Sequence, residues 1–163
     1  MINATVDSAA VQKRIAGMIQ RAGDLSPVMG LMGRHMMAST RTTFDVGGRP
    51  VKWDVLKNVE VLPKGSKSRK HRVQGRARAG GVLVLTGDMR RSPGFTAEPK
   101  DLVVWDRPER NAVKAPVHQE GTDRAGRGHN VVIPQRKFLL FQQEDIAYFR
   151  SLVSGFIRLG SAS

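Results

Sequence analysis

The first helix signal in the chain is an apolar stripe in residues 8–22. Basic and amide side chains occupy the opposite side of the predicted helix, so the pattern is amphipathic. The stripe consists of Ala9, Val11, Ile15, Met18, Ile19 and Ala22. Gly23 is expected to end this helix, because glycine readily adopts the backbone conformation that terminates helices. Residues 1–25 are therefore assigned to an N-terminal helical segment.

Two further helices are predicted from the same spacing. Ser26 is expected as an N-cap with Pro27 at the first helical position, and the apolar repeat then runs to about Thr42. The last helix begins near Gln142 and is closed by Gly160. Its apolar face consists of Ile146, Phe149, Leu152, Val153, Phe156 and Ile157. The charges that suit its dipole are Glu144 and Asp145 in the first turn and Arg158 in the last.

Short β candidates lie between these helices. Residues 82–85 form a compact apolar strand, followed by a turn and a nascent helix that Thr86 caps. Residues 94–96 and 102–105 are two more strand candidates, and the Glu-Pro-Lys-Asp sequence at 98–101 predicts a hairpin turn between them.

A dense stretch from Ala115 to Phe141 follows. Residues 116–119 predict a short helix that Gly121 ends, and a glycine-rich loop leads to a strand at 131–133, which Pro134 terminates. We expect this stretch to be a buried scaffold in which His118 and Arg136 make structural hydrogen bonds. The element order predicts an α+β fold, with the N-terminal helices and a C-terminal amphipathic helix packed on one mainly antiparallel sheet.

Length and composition limit the class of protein. The 163 residues are expected to form a single domain, 1–163, with a short C-terminal tail at 158–163. Cysteine is absent, which excludes disulfides and thiolate metal sites. No apolar run approaches the roughly 20 residues that a membrane-spanning helix needs, and the N-terminus does not resemble a signal peptide. The net charge of +13 points to polyanionic partners, with nucleic acid the first to test.

Residues 63–81 concentrate this charge in a predicted flexible arm. The segment has no acidic residue and almost no side chain to bury. Its basic residues are Lys64, Lys67, Arg69, Lys70, Arg72, Arg76 and Arg78. Two interpretations stay open: the arm contacts nucleic acid or another polyphosphate, or it is a solvated loop that orders against a neighbouring subunit.

The sequence lacks the patterns of common catalytic and metal sites. Its histidines share no ligand spacing; they are His35, His71, His118 and His129. No Gly-x-Ser-x-Gly nucleophile turn occurs. We expect His35, at the margin of an apolar stripe, to be structural, and Trp53 to anchor the core rather than stack on a base. The predicted protein is not an enzyme and has no cofactor.

The order of three short motifs resembles the virion morphogenesis (tail completion) family of tailed bacteriophages. The first motif contains Thr86, Gly87, Arg90 and Ser92; the second contains His118, Gln119 and Gly121; the third contains Ile133, Pro134, Arg136, Phe138 and Leu139. The region of Phe44, the glycine pair at 47–48 and Trp53 is also similar to this family. The resemblance covers roughly residues 28 to 157 and ends in an amphipathic helix.

This resemblance implies a structural protein of the virion neck, made in the host bacterial cytoplasm. Such a protein completes or terminates the tail and joins it to the head, as a subunit of a ring, expected to be a hexamer, through which DNA passes. Its implied partners are further copies of itself, the adjacent neck, connector and tail-tube proteins, and phage DNA in the channel, without a membrane. The alternative is a stand-alone basic nucleic-acid-binding protein.

Overall fold

A computed structural model describes residues 8–54, 82–84, 87–106, 113–125, 128–129 and 131–160. The basic arm at 63–81, Leu85, Thr86 and the tail residues 161–163 lie outside them. Within the described residues the helices are α1 (Ser8–Gly23), α2 (Ser26–Val46), α3 (Asp88–Arg91), α4 (Lys114–Glu120) and α5 (Gln143–Leu159). The strands are β1 (Pro93–Ala97), β2 (Leu102–Asp106), β3 (Thr122–Ala125) and β4 (Val131–Ile133).

The α+β class predicted from the sequence is confirmed, but the strands form two small sheets instead of one. β1 and β2 pair antiparallel, from Pro93 opposite Asp106 to Ala97 opposite Leu102. β3 and β4 also pair antiparallel, with an irregularity between Thr122 and Ala125. The hairpin turn at 98–101 is present, and Glu98 N donates to Asp101 O across it at 2.8 Å. β3 occupies part of the segment that the sequence predicted to be a loop.

The strand predicted at residues 82–85 is wrong for the part that the structure describes. Residues 82–84 form a turn, and Leu83 adopts a positive φ of 66°. Their side chains are partly buried against the main hydrophobic cluster. A short apolar run indicates that its side chains are buried, but it does not determine the secondary structure of the backbone. Here the side chains pack without a paired strand.

Helix α2 differs at both ends from its predicted bounds. Ser26 is inside the helix, and its N–H donates to Asp24 Oδ1 at 2.9 Å, so Asp24 supplies the polar contact expected of a serine cap. The helix continues to Val46, and the buried hydroxyl of Thr43 is satisfied within it, because Thr43 Oγ1 donates to Ser39 O at 3.1 Å. Gly47 then ends it in the left-handed conformation, with φ 73°.

The main hydrophobic cluster lies at the C-terminal end of α2. It contains Phe44, Trp53, Met89, Ala115 and Phe138. The Phe44 ring lies 5.5 Å from Trp53 in a T-shaped contact and 5.3 Å from Phe138. Trp53 is buried and its Nε1 donates to Lys137 O at 3.1 Å, so its predicted role in the core is confirmed.

Helix α1 is attached to the fold by its polar side. Arg21 donates from Nε and Nη2 to Ile157 O of α5, at 2.9 and 2.7 Å. No residue of α1 is buried, and Val11, Ile15 and Ile19 are 50%, 51% and 68% exposed. Of the apolar stripe predicted from the sequence, Met18 is therefore partly covered, whereas Val11, Ile15 and Ile19 face away from the described body of the protein.

The first prediction concerns the close approach of α2 to β1 at Gly33. A Cβ atom at Gly33 would lie 2.2 Å from the Phe95 ring, whereas one at Gly30, one turn earlier, would meet only Arg34 Nη1 at 3.8 Å. We expect Gly33→Ala to lower the free energy of unfolding by about 1–3 kcal/mol through overpacking. Gly30→Ala is the matched control and should be neutral or stabilising by up to about 1 kcal/mol. Urea unfolding of both variants checks this; equal effects would contradict the packing.

Candidate assembly site

The Gln119 side chain fastens the segment that follows β4 onto α4. Its Oε1 accepts from the backbone N–H groups of Phe138 and Leu139, at 3.1 and 3.2 Å. Its Nε2 donates to Leu139 O at 2.8 Å. One amide thus pairs three backbone groups of an extended segment, which places Phe138 in the core at 1% exposure. The sequence singled out both residues, and the structure shows the contact that joins them.

Gly121 lets two backbone segments come close together next to the hydrogen bonds of Gln119. It ends α4, within which the predicted helix 116–119 lies, and has a φ of 76°. A Cβ there would approach Gln135 N to 2.9 Å and Ile133 O to 3.1 Å. Any other residue would therefore meet both a strained conformation and a backbone clash. Pro134 follows the end of β4 directly and is exposed.

His118 and Arg136 lie on facing segments and are joined through the backbone. Arg136 N donates to His118 O at 2.6 Å, and Arg136 Nη2 makes one long bond to Asp54 O at 3.4 Å. Among the described residues, His118 Nδ1 and Arg136 Nε are buried without a hydrogen-bond partner. Burial and the neighbouring Arg136 charge lower the pKa of His118. Burial also lowers the pKa of Arg136, opposed by the attraction of Asp54.

The turn before β1 is held to α2 by Arg90. Its Nη2 lies 2.8 and 2.9 Å from the two carboxylate oxygens of Asp45. Gly87 precedes the short helix α3 with a φ of 75°, which suits glycine. Thr86, the predicted cap, lies outside the described residues.

A buried carboxylate that the sequence did not single out fastens α5 to α2. Asp145 is 1% exposed and accepts from His35 Nε2 at 2.7 Å, Ser39 Oγ at 3.0 Å and Gln142 N at 2.8 Å. The sequence explained its acidic character by the helix dipole alone. His35, expected to be structural, lies in this contact and stacks 4.5 Å from the Tyr148 ring. The aspartate therefore caps its own helix and bonds the neighbouring one.

Arg49 extends this polar network to the turn after α2. Its Nη2 donates to Ser39 O and Ser39 Oγ, both at 2.7 Å. Its Nη1 donates to Glu144 Oε1 at 3.0 Å, where Glu144 is largely exposed. A chain of polar contacts therefore links α2, the turn at 47–50 and the start of α5.

These polar groups hold the fold together rather than converge on a reactive centre. Within the described ranges no cluster of three or more His, Asp or Glu side chains is placed to hold a metal ion. A cleft of about 370 Å³ borders the turn at 49–54, yet Arg49 and Lys52 on its wall donate to backbone groups of α2. None of the helices described is long and apolar enough to cross a membrane.

The predicted partner-contacting residues of the arm lie outside the described residues. They are Lys64, Lys67, Arg69, Lys70, Arg72, Arg76 and Arg78. The motif residues that the structure describes lie around two contacts, one between Gln119 and Phe138 and one between Arg90 and Asp45.

The described motif residues thus form hydrogen bonds and packing contacts within an α+β fold. In a comparison with protein families, the model of the phage virion morphogenesis family matches residues 6–155. The chain belongs to this family, a structural one that builds the phage particle. No curated protein and no solved structure matches it significantly.

Removing the buried carboxylate should separate α5 from α2. Asp145→Ala leaves the donors of His35, Ser39 and Gln142 without their acceptor, so we expect a loss of about 3 kcal/mol or more in the free energy of unfolding. Glu144→Ala is the matched control, because this neighbouring carboxylate is exposed and its ion pair should contribute less than about 1 kcal/mol. Chemical denaturation measures both; similar losses would show that Asp145 has no special role.

The lowered pKa of His118 predicts a pH dependence of stability. The unfolded chain takes up this proton more readily than the folded protein, so the contribution is absent above the ordinary histidine pKa of about 6.5 and destabilises the fold as the pH falls through it. We expect the free energy of unfolding to decline less in His118→Gln than in the unchanged protein between about pH 7.5 and 5.5. Identical declines would refute the assignment to His118.

Proposed function

We propose that this protein is a ring-forming subunit of the virion neck that completes or terminates the tail and joins it to the DNA-filled head. The observation that carries the proposal is its membership of the phage virion morphogenesis family over nearly the whole chain. The ring, its expected hexameric state and the passage of DNA through it are the specific content of the proposal. The protein has no enzymatic activity in this account.

The use of polar residues in the fold supports a structural role. Asp145, Arg49 and Gln119 bond elements of the same chain to one another. In a ring, each subunit contacts its neighbours through surface patches that repeat around the ring. The apolar side chains exposed on α1 are candidates for such contacts.

The proposed location is the neck and tail of the virion, after assembly in the host bacterial cytoplasm. The proposed partners are other copies of the chain and the neighbouring neck, connector and tail-tube proteins. The basic arm at 63–81 has two candidate contacts there: DNA phosphates in the channel, or an acidic surface of an adjacent ring.

A stand-alone nucleic-acid-binding protein is the second candidate, favoured by the net charge of +13 and by the concentration of basic residues in the arm. The two candidates differ in salt dependence. Binding that rests on phosphate contacts weakens steeply with salt, because each neutralised phosphate releases counterions.

Deleting residues 64–78 tests the proposal in the phage that carries this gene. We expect heads and tails to accumulate unjoined, while the purified variant unfolds at the same denaturant concentration as the full chain. A second variant, in which glutamine replaces the seven basic residues of the arm, keeps the length of the arm and removes its charge. It therefore shows whether the effect of the deletion comes from the lost charge or from the lost length. Normal rings and infectious joined particles from the deletion variant would contradict the role of the arm.

Tight duplex DNA binding by a monomer at physiological salt, with a steep salt slope, would favour the second candidate.

A further inference from the structure

Helix α1 leaves a row of apolar side chains uncovered along one side. Gly17, Met18 and Arg21 are its partly covered residues, and Arg21 makes its bonds to α5. The exposed stripe of Val11, Ile15 and Ile19 extends over just over two turns, or roughly 12 Å along the helix axis. A contiguous apolar surface of this kind on a soluble domain marks an interaction site.

The second uncovered element is the ribbon formed by β3 and β4. Val131 and Val132 are consecutive residues of β4 and are 48% and 71% exposed. Consecutive strand residues point to opposite faces, so the ribbon is open on both sides. Isolated two-stranded ribbons are marginally stable in water and need a packing partner. Among the described elements, β3 and β4 make their main contacts with each other.

The attachment points of α1 and the ribbon lie at opposite ends of α2. Leu25, between α1 and α2, donates to Pro99 O, whereas the base of the ribbon meets the Gln119 and Phe138 joint, which packs on Phe44. Val28 and Phe44 are separated by roughly 24 Å along an α-helix. Head-to-tail contacts require two different surfaces on each subunit, placed so that one surface of a subunit meets the other surface of the next. The stripe of α1 and the ribbon have this arrangement.

Charge favours the ribbon over a second α1 as the partner surface. α1 carries Lys13, Arg14 and Arg21 and no acidic residue, so a second copy of α1 would offer it no opposite charge. The ribbon side presents exposed Asp123 and, at the end of α4, Glu120. Arg124, 3.9 Å from Asp123, leaves this surface near neutral rather than basic. The ribbon is therefore an apolar surface that a basic helix can approach without repulsion.

We propose that the apolar stripe of α1 packs on the β3–β4 ribbon of a neighbouring copy, and that this contact repeats head to tail. The inference rests on the proposed ring assembly and specifies one of its interfaces. Ile15 and Val132 lie near the centre of the two surfaces. Each subunit then offers one helix and receives another, so the contact closes into a ring when the rotation between copies allows it.

The lack of cysteine in the chain makes crosslinking a direct test. In the full-length Ile15→Cys, Val132→Cys double variant, a short bis-maleimide should link copies into a ladder that extends beyond the dimer on a denaturing gel. Gln20→Cys with Val132→Cys is the matched control, because Gln20 lies on the opposite side of α1, and it should give a much weaker ladder. A ladder of equal strength from the control pair would overturn the proposal. Crosslinked dimers from the single variant Ile15→Cys would also overturn it, because they would show that α1 packs against α1.

A second variant pair measures the same contact without crosslinking. Ile15→Glu should weaken self-association by roughly tenfold or more in sedimentation velocity, whereas Gln20→Glu adds the same charge to the same helix and should associate like the unchanged protein. Circular dichroism checks that both remain folded, as expected at exposed positions. Unchanged association of Ile15→Glu would overturn this interface. The arm-deletion experiment on joined particles has an independent outcome, so the neck function can survive the loss of this proposal.

Discussion

The fold depends on one buried carboxylate. Asp145 receives bonds from α2 and from the start of its own helix, and no solvent is available to replace them at 1% exposure. A buried charge of this kind tolerates few arrangements, because each missing donor would leave it poorly solvated. It therefore fixes how α5 lies on α2, and Arg49 carries the same constraint to the turn that delivers Trp53 to the core.

A second constraint acts at the other side of the hydrophobic cluster. The amide of Gln119 pairs the backbone on either side of the Phe138–Leu139 bond, and Gly121 allows the chain to pass close beside Gln135. Together they insert Phe138 against Phe44. The motif around His118 thus joins two segments of the chain, and the apolar side chains exposed on α1 and on the ribbon are the surfaces that we propose for contacts between copies.

The sequence predicted the features that depend on residues close together in the chain. Helical periodicity located α1, α2 and α5, and the Glu-Pro-Lys-Asp turn located the first hairpin. Periodicity shows that a face is apolar but not what covers it, so the exposure of Ile15 was not predictable. β3 was missed because Thr-Asp-Arg-Ala lacks the alternation of a half-buried strand. Asp145 was missed because the helix dipole already accounted for an acidic first turn.

Imaging the neck of intact virions tests the central claim most directly. A small electron-dense label attached to the C-terminus of this protein should appear at the junction of head and tail, and averaged images should show a ring of repeated subunits at that level. Label distributed along the tail or over the head, or absent from finished particles, would contradict the account.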